Sequence, residues 1–371
     1  MIARSRAADF DMARWVSDGQ ALNECLATLR ELPRLALDTE FERIRTYWPK
    51  LALLQVVLPG EIALIDPLAF ESLAPLGAAL VESDQTWLMH SPSEDLVALK
   101  PLLPHPPAQL FDTQLAAALA GLGSGLGYQK LVALVLNVDL AKTETRSDWM
   151  RRPLSAEQLA YAADDVLHLD ALGDALIERL EQLGRREWIA QEGKRTLDAA
   201  FANTVPANLH HDYRSAFKLG VDAQRRLDAI LRWRERIARE TDRPKPWVID
   251  NQVAFDVAAN PPRQVADLQR NLQAQRAFPR ARLQELLELV ETPDHDPRFL
   301  PAPKLFSRDE ETQLEKMKAA IESAAIELAF EPALLAPRKL QEARLRNGQW
   351  PDDLPPWRRE RLEAIASNVF G

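Results

Sequence analysis

The sequence has a single cysteine, Cys25, among 371 residues. No intramolecular disulfide can form, and a cysteine-rich zinc site is excluded. A reducing cytoplasm is therefore the expected compartment. The first fifteen residues, MIARSRAADFDMARW, hold no apolar core of signal-peptide length. No apolar run in the sequence approaches the roughly 18–20 residues that cross a bilayer, so no membrane association is expected. The one glycine-rich stretch, GLGSGLG at Gly121–Gly127, lacks the Lys-Ser/Thr of a phosphate-binding loop. It reads as a turn, and no nucleotide cofactor is expected. A basic excess is missing too, since 46 Lys and Arg face 55 Asp and Glu, for a net charge of −9. A chain-wide footprint for nucleic acid is thus absent. A carboxylate-rich metal site is acidic by construction, however, and basic residues can cluster locally.

What is present is ordinary globular composition, 46% hydrophobic and 27% charged, in a chain long enough for two or three domains. The first half alternates short apolar strands (RLALDTEF, LALLQVVL, IALID, TWLMHS) with amphipathic helical stretches such as AEQLAYAADDVLHLDALGDALIERL. That mixture predicts an α/β domain with one main sheet flanked by helices. From about Asp212 the patterns are helical, broken at the proline-bearing RPKPW, NPP, TPDHDP and LPAPK. The breaks predict an α/β domain over residues 1–205 and two all-helical domains over 206–293 and 294–371.

Three segments carry the chemistry. In RLALDTEF, Asp38 and Glu40 are two apart, so on a strand they share a face, with Leu35, Leu37 and Phe41 on the other. Two acids side by side on an apolar strand repel and lose hydration, which is costly without a cation. A lone D-x-E is nevertheless more often a solvated strand end. In SAEQLAYAADD, Ser155 and Gln158 form a capping-box pattern that starts a helix. Tyr161 and Asp165 then stand at i and i+4 on one face, although a solvated amphipathic helix explains them equally well. In MHSPSEDL, Asp95 falls in a first helical turn, where the helix dipole alone favours an acid. Gathered at one sheet edge, four carboxylates and a phenol form an oxygen-only set suited to Mg²⁺ or Mn²⁺ and not to zinc. Two such ions about 3.5–4 Å apart clamp the attacking and leaving oxygens of a phosphodiester.

The segment ALDTEFERIRTYWPKLALLQ resembles the first exonuclease motif of the DEDD superfamily in its ribonuclease D form, MHSPSEDL the second and YAADD the third. Tyrosine stands four residues before the last aspartate, and the position that would carry histidine in the other subclass is Ala160. FDTQLAAAL and KTETRSDWMRRPLSAEQLAYAADDV extend the likeness over roughly residues 30–185. The resemblance implies a ribonuclease H-like fold and a 3′→5′ exoribonuclease with two divalent ions, Mg²⁺ or Mn²⁺. Asp38, Glu40 and Asp165 would ligate the metals, with Asp38 bridging, and Asp95 would act through water. Tyr161, with an ordinary pKa of about 10, is a poor base and would orient the attacking water. The product would be a nucleoside 5′-monophosphate cut from a free RNA 3′ end. The family's substrates, tRNA precursors and other small structured RNAs, are the expected partners, and a monomer is expected.

The helical half resembles an HRDC domain, carried by Trp233, Arg234, Arg236 and PWVIDNQVAFDVAANPP, and EPALLAPRKLQEARLRNGQWPDDLPPWRRERL looks like a divergent second copy. Residues 211–240 carry eight Lys/Arg and five Asp/Glu, net +3, and residues 263–282 five Arg and one Asp, net +4. These are candidate RNA-facing patches, although arginines also coat solvated helices. Further substrate candidates are Arg45 and Tyr47, after the first motif, and Lys142 and Arg146, in the basic run before the catalytic helix. Asp112 and Asp148 read at least as well as capping residues. Two alternatives remain open: a DNA 3′→5′ exonuclease of the same superfamily, separated by matched RNA and DNA oligonucleotides, and a non-catalytic RNA-binding relative. The intact set of four acids and a tyrosine argues against the second.

Overall fold

The computed structural model describes residues 12–140, 147–202, 204–293 and 296–370. The chain forms two compact units. The first contains the described residues of Met1–Glu42, Lys50–Ala202 and Ser307–Gly371, and the second those of Arg43–Pro49 and Asn203–Phe306.

The first unit is built on a six-stranded mixed sheet. Its elements run β1 (Ala13–Val16), α1 (Gly19–Glu31), β2 (Arg34–Glu42), β3 (Lys50–Leu58), β4 (Glu61–Ile65), α2 (Ala74–Val81), β5 (Thr86–Met89), α3 (Ser93–Leu99), β6 (Gln109–Asp112), α4 (Thr113–Leu119), α5 (Tyr128–Leu136), α6 (Ala156–Leu167), α7 (Leu169–Gln182) and α8 (Arg186–Phe201). The strand order is β1-β4-β3-β2-β5-β6. β2, β3 and β4 form an antiparallel meander, and β1, β5 and β6 pair parallel to their neighbours. Strands this apolar are covered on both faces. Leu35, Leu37, Leu54, Val56 and Trp87 pack on one side, and Ala36, Leu53, Leu64, Leu88 and Phe111 on the other with Ala162, Val166 and Leu172 from the helices. Helix α8 lies tight on β6. A Cβ at Gly193 would stand 2.1 Å from the Leu110 carbonyl oxygen, so only glycine fits there.

The sequence pattern runs unbroken from Ala156 through Leu180, but the helix divides at His168, whose φ and ψ are −107° and 5°. The His168 backbone N–H donates to the Tyr128 hydroxyl at 3.1 Å. A side chain from another helix thus satisfies an amide that a continuous helix would have used itself.

The second unit is helical: α9 (Val221–Thr241), α10 (Lys245–Val248), α11 (Asn251–Ala259), α12 (Val265–Asn271) and α13 (Leu283–Glu291). They enclose Leu227, Ile230, Trp233, Val257, Leu268 and Leu286.

The remaining helices, α14 (Arg308–Glu327), α15 (Pro332–Leu335), α16 (Arg338–Asn347) and α17 (Pro356–Phe370), correct the expected domain plan. Residues 294–371 do not form a third independent body, because Ser307 onward belongs to the first unit. Met317, Ile321, Trp350, Trp357 and Leu362 share one core with Leu180 and Ile189. The Trp188 and Trp357 rings stack with centroids 4.5 Å apart. Buried Glu192 on α8 accepts from Trp357 Nε1 at 3.1 Å and Arg358 at 2.6 Å. A helical segment this short encloses little apolar surface by itself, and the face of α8 supplies the rest.

Candidate active site

Asp38 and Glu40 project from β2 on the side of the sheet covered by α6. The antiparallel register sets Asp38 opposite Gln55 and Glu40 opposite Leu53, with a bulge just after Glu40. Alternation sends Leu37 to the opposite core, so burial of one row fixes the acids in the other.

Helix α6 delivers Tyr161 and Asp165. Its start is the expected capping box: Ser155 N donates to Gln158 Oε1 at 2.9 Å and Gln158 N to Ser155 Oγ at 3.2 Å. The box anchors the helix one and a half turns before Tyr161, and Ala162, Ala163 and Val166 bury its inner face. Tyr161 interacts with Asp165 one turn further along the same face, and its ring lies 6.0 Å from that of Trp149.

Asp95 sits in the first turn of α3 and is 8% exposed. The Thr39 hydroxyl, between the two β2 acids, donates to Asp95 Oδ1 at 2.5 Å. The turn before α3 is strained, with Ser91 at φ +56°. Asp112 holds it by accepting from Ser91 N at 2.9 Å while capping α4 through Gln114 N and Leu115 N. The capping role expected for Asp112 thus also steadies the segment that presents Asp95. Asp148 likewise accepts locally, from Met150 N at 3.1 Å.

Asp95 and Asp165 act on the two β2 acids. Burial first, then Asp95, Asp165 and Glu40, hold the Asp38 carboxyl well above its ordinary range. Burial, with Asp165 and Asp95, pushes Glu40 up to about 8. Burial raises Asp165 to about 7 against the opposing hydrogen bond from Tyr161. Burial also raises Asp95 to about 6, partly offset by Thr39. Among the described residues no lysine or arginine figures among these causes. Burial and the neighbouring carboxylates raise the Tyr161 phenol as well, so it stays protonated. The donor set is oxygen-only, anionic and desolvated, which fits a hard divalent cation. Among the described residues no three ligand side chains already close into a metal-binding group.

Two further sequence candidates, Arg45 and Tyr47, belong to the second unit. Arg45 is exposed, in the segment 43–49 that packs within the second unit. In that unit the Tyr47 hydroxyl donates to Glu235 and accepts from Arg239 Nε at 3.1 Å, and Tyr47 N donates to Asp242 Oδ1 at 3.0 Å. These contacts account for Tyr47 structurally. Lys142 and Arg146 lie outside the described residues. Sequence reasoning missed Thr39, whose one signal is its place between two acids. It also missed Tyr128, which is buried beside α6 and within electrostatic reach of Asp165 and Asp38. Nothing in GLGYQKLVAL marks Tyr128 as a neighbour of the site.

A sequence model of 3′–5′ exonuclease domains matches residues 13–181, and one of the HRDC domain matches residues 223–290. Ribonuclease D of Xanthomonas oryzae pv. oryzae is 42% identical over 356 residues, spanning 95% of this chain and 97% of its relative. Ribonuclease D of Pseudomonas paraeruginosa is 34% identical over 371 residues, with 96% and 97% covered. The crystal structure of Escherichia coli RNase D, an exoribonuclease involved in structured RNA processing, superposes with a TM-score of 0.82 at 28% identity, covering 96% of this chain and 99% of that one. No helix among the described residues is long and apolar enough to cross a membrane. With a mixed-sheet exonuclease domain, an HRDC domain and full-length likeness to these enzymes, the chain belongs to the ribonuclease D family of metal-dependent 3′–5′ exoribonucleases.

Proposed function

We propose that this enzyme trims RNA from a free 3′ end with two divalent ions, Mg²⁺ or Mn²⁺, held by Asp38, Glu40 and Asp165 with support from Asp95. The carrying observation is that Asp95 and Asp165, from two other segments, raise the proton affinity of the buried Asp38 and Glu40 on β2. When bound, the ions supply a hydroxide nucleophile and stabilise the leaving oxygen of the phosphodiester.

The chain's own groups do the positioning. Tyr161 remains a phenol at neutral pH and acts as a hydrogen-bond donor, not as a base. Its position one turn before Asp165 on the same helix face would let it orient the attacking water, which supports a reading in the tyrosine subclass. Thr39 orients Asp95. The products are nucleoside 5′-monophosphates. Precursors of tRNA and other small structured RNAs are the substrates, and the enzyme works as a monomer. The basic stretches at 211–240 and 263–282, net +3 and +4, offer the second unit a route to RNA phosphates.

The test is to incubate 3′-hydroxyl RNA with Mg²⁺ or Mn²⁺ and compare wild type with Asp165→Ala. Stepwise release of 5′-monophosphates by the wild type alone is expected. Equal hydrolysis by the variant refutes the site.

A further inference from the structure

Gln55 is fully buried in the middle of β3, and neither its amide nitrogen nor its amide oxygen has a hydrogen-bond partner. A buried primary amide with both ends unsatisfied is unfavourable, and native cores seldom keep one without a use. Its sheet neighbours narrow that use. Across the strands stand Asp38 on β2 and Leu64 on β4. Along β3 on the same face come Leu53 and Val57. Leu64 and Leu53 belong to the core under α6, and Val57 packs against it. Asp38 is thus the one polar residue among these four.

We infer that Gln55 is a positioning residue for Asp38: its amide N–H donates to the Asp38 carboxylate once a divalent ion relieves the repulsion among the four acids. Directly opposed residues of an antiparallel pair have Cβ atoms roughly 4.5–5.5 Å apart. A glutamine amide spans that separation by rotating its side chain. The bond ties down one carboxylate oxygen and turns the other toward the ion, as outer partners do for metal-ligating side chains. The inference rests on the reading of Asp38 as a metal ligand.

Gln55→Met keeps the length and removes the donor. It is compared with wild type and Asp38→Asn by two measurements without RNA: Mn²⁺ binding by titration calorimetry, and thermal unfolding in chelator. Gln55→Met is expected to unfold in chelator at or above the wild-type temperature, because an unsatisfied amide is gone, yet to bind Mn²⁺ about tenfold more weakly. A purely structural glutamine would move the melt and leave the affinity alone. Mn²⁺ affinity within twofold of wild type, with Asp38→Asn abolishing binding, overturns the role of Gln55 and leaves the site standing. Full Mn²⁺ binding by Asp38→Asn overturns the site, and this inference with it. Gln55→Leu, measured the same way, decides the matter should the methionine variant not fold.

Discussion

Replacing Glu40 by glutamine should make the metal-free protein more stable while destroying its activity. Burial and the facing Asp165 and Asp95 carry this carboxyl from an ordinary 4.5 to about 8. At about 1.4 kcal/mol per tenfold change in proton affinity, ionising it in the folded protein costs up to roughly 4–5 kcal/mol. Side-chain relaxation and water entry reduce the effective figure to about 2 kcal/mol. A group whose folded pKa is raised is not penalised below its unfolded value, where both states are protonated. Stability is then lost as pH rises from 4.5 toward 8. Asp165, at about 7, and Asp95, at about 6, add losses of the same sign. The wild type in chelator should therefore melt lower at pH 8 than at pH 5.5. Glu40→Gln should recover roughly 4–8 °C at pH 8 and little at pH 5.5. Saturating Mn²⁺ should raise the wild-type melt at pH 8 and raise the variant's much less. Differential scanning calorimetry across that pH range reads all of these. A variant that melts at or below wild type in chelator at pH 8 would refute the claim that the four acids are held together against their own repulsion.

Three other perturbations probe separate parts of the structure. Tyr161→Phe removes the donor without emptying the helix face, so kcat on RNA should fall about 10²-fold with KM little changed, read by steady-state kinetics. An undiminished kcat would remove the phenol from catalysis. Gly193→Ala forces a methyl group onto the Leu110 carbonyl, 2.1 Å away, and should cost about 2–3 kcal/mol in urea unfolding as α8 lifts from β6. Replacing the exposed Arg263, Arg270 and Arg276 by alanine together should weaken RNA binding and reduce its log-log salt slope by up to about 2. Unchanged binding would take that face out of RNA contact.

The legible part of the site was periodic. Asp38 and Glu40 could be set on one strand face because alternation is a local property of extended backbone. Tyr161 and Asp165 could be set on one helix face by their spacing after a recognisable cap. Asp95 was harder, since an acid in a first helical turn needs no metal to explain it. Its significance comes from Thr39 and from the Asp112 clamp on the Ser91 turn, both contacts across long stretches of chain. Tyr128 and Gln55 carried no local signal, and their weight comes from what lies opposite them in space. Tyr47, adjacent in sequence to the first motif, packs within the helical unit through Glu235, Arg239 and Asp242.

By itself the sequence determined the α/β and helical halves, the acids and the tyrosine as candidates, and, through the motif likeness, the class of reaction. Those features depend on backbone periodicity, capping chemistry and residue type, all set within a few positions of chain. Only the tertiary structure decided that Asp95 and Asp165 come within electrostatic reach of the buried Asp38, that the helix after Ser155 breaks at His168, and that the last helices complete the exonuclease core instead of folding apart. Each of those outcomes depends on which surfaces meet. Burial, like-charge repulsion and the enclosure of apolar area are properties of that meeting, and no short window of sequence contains it.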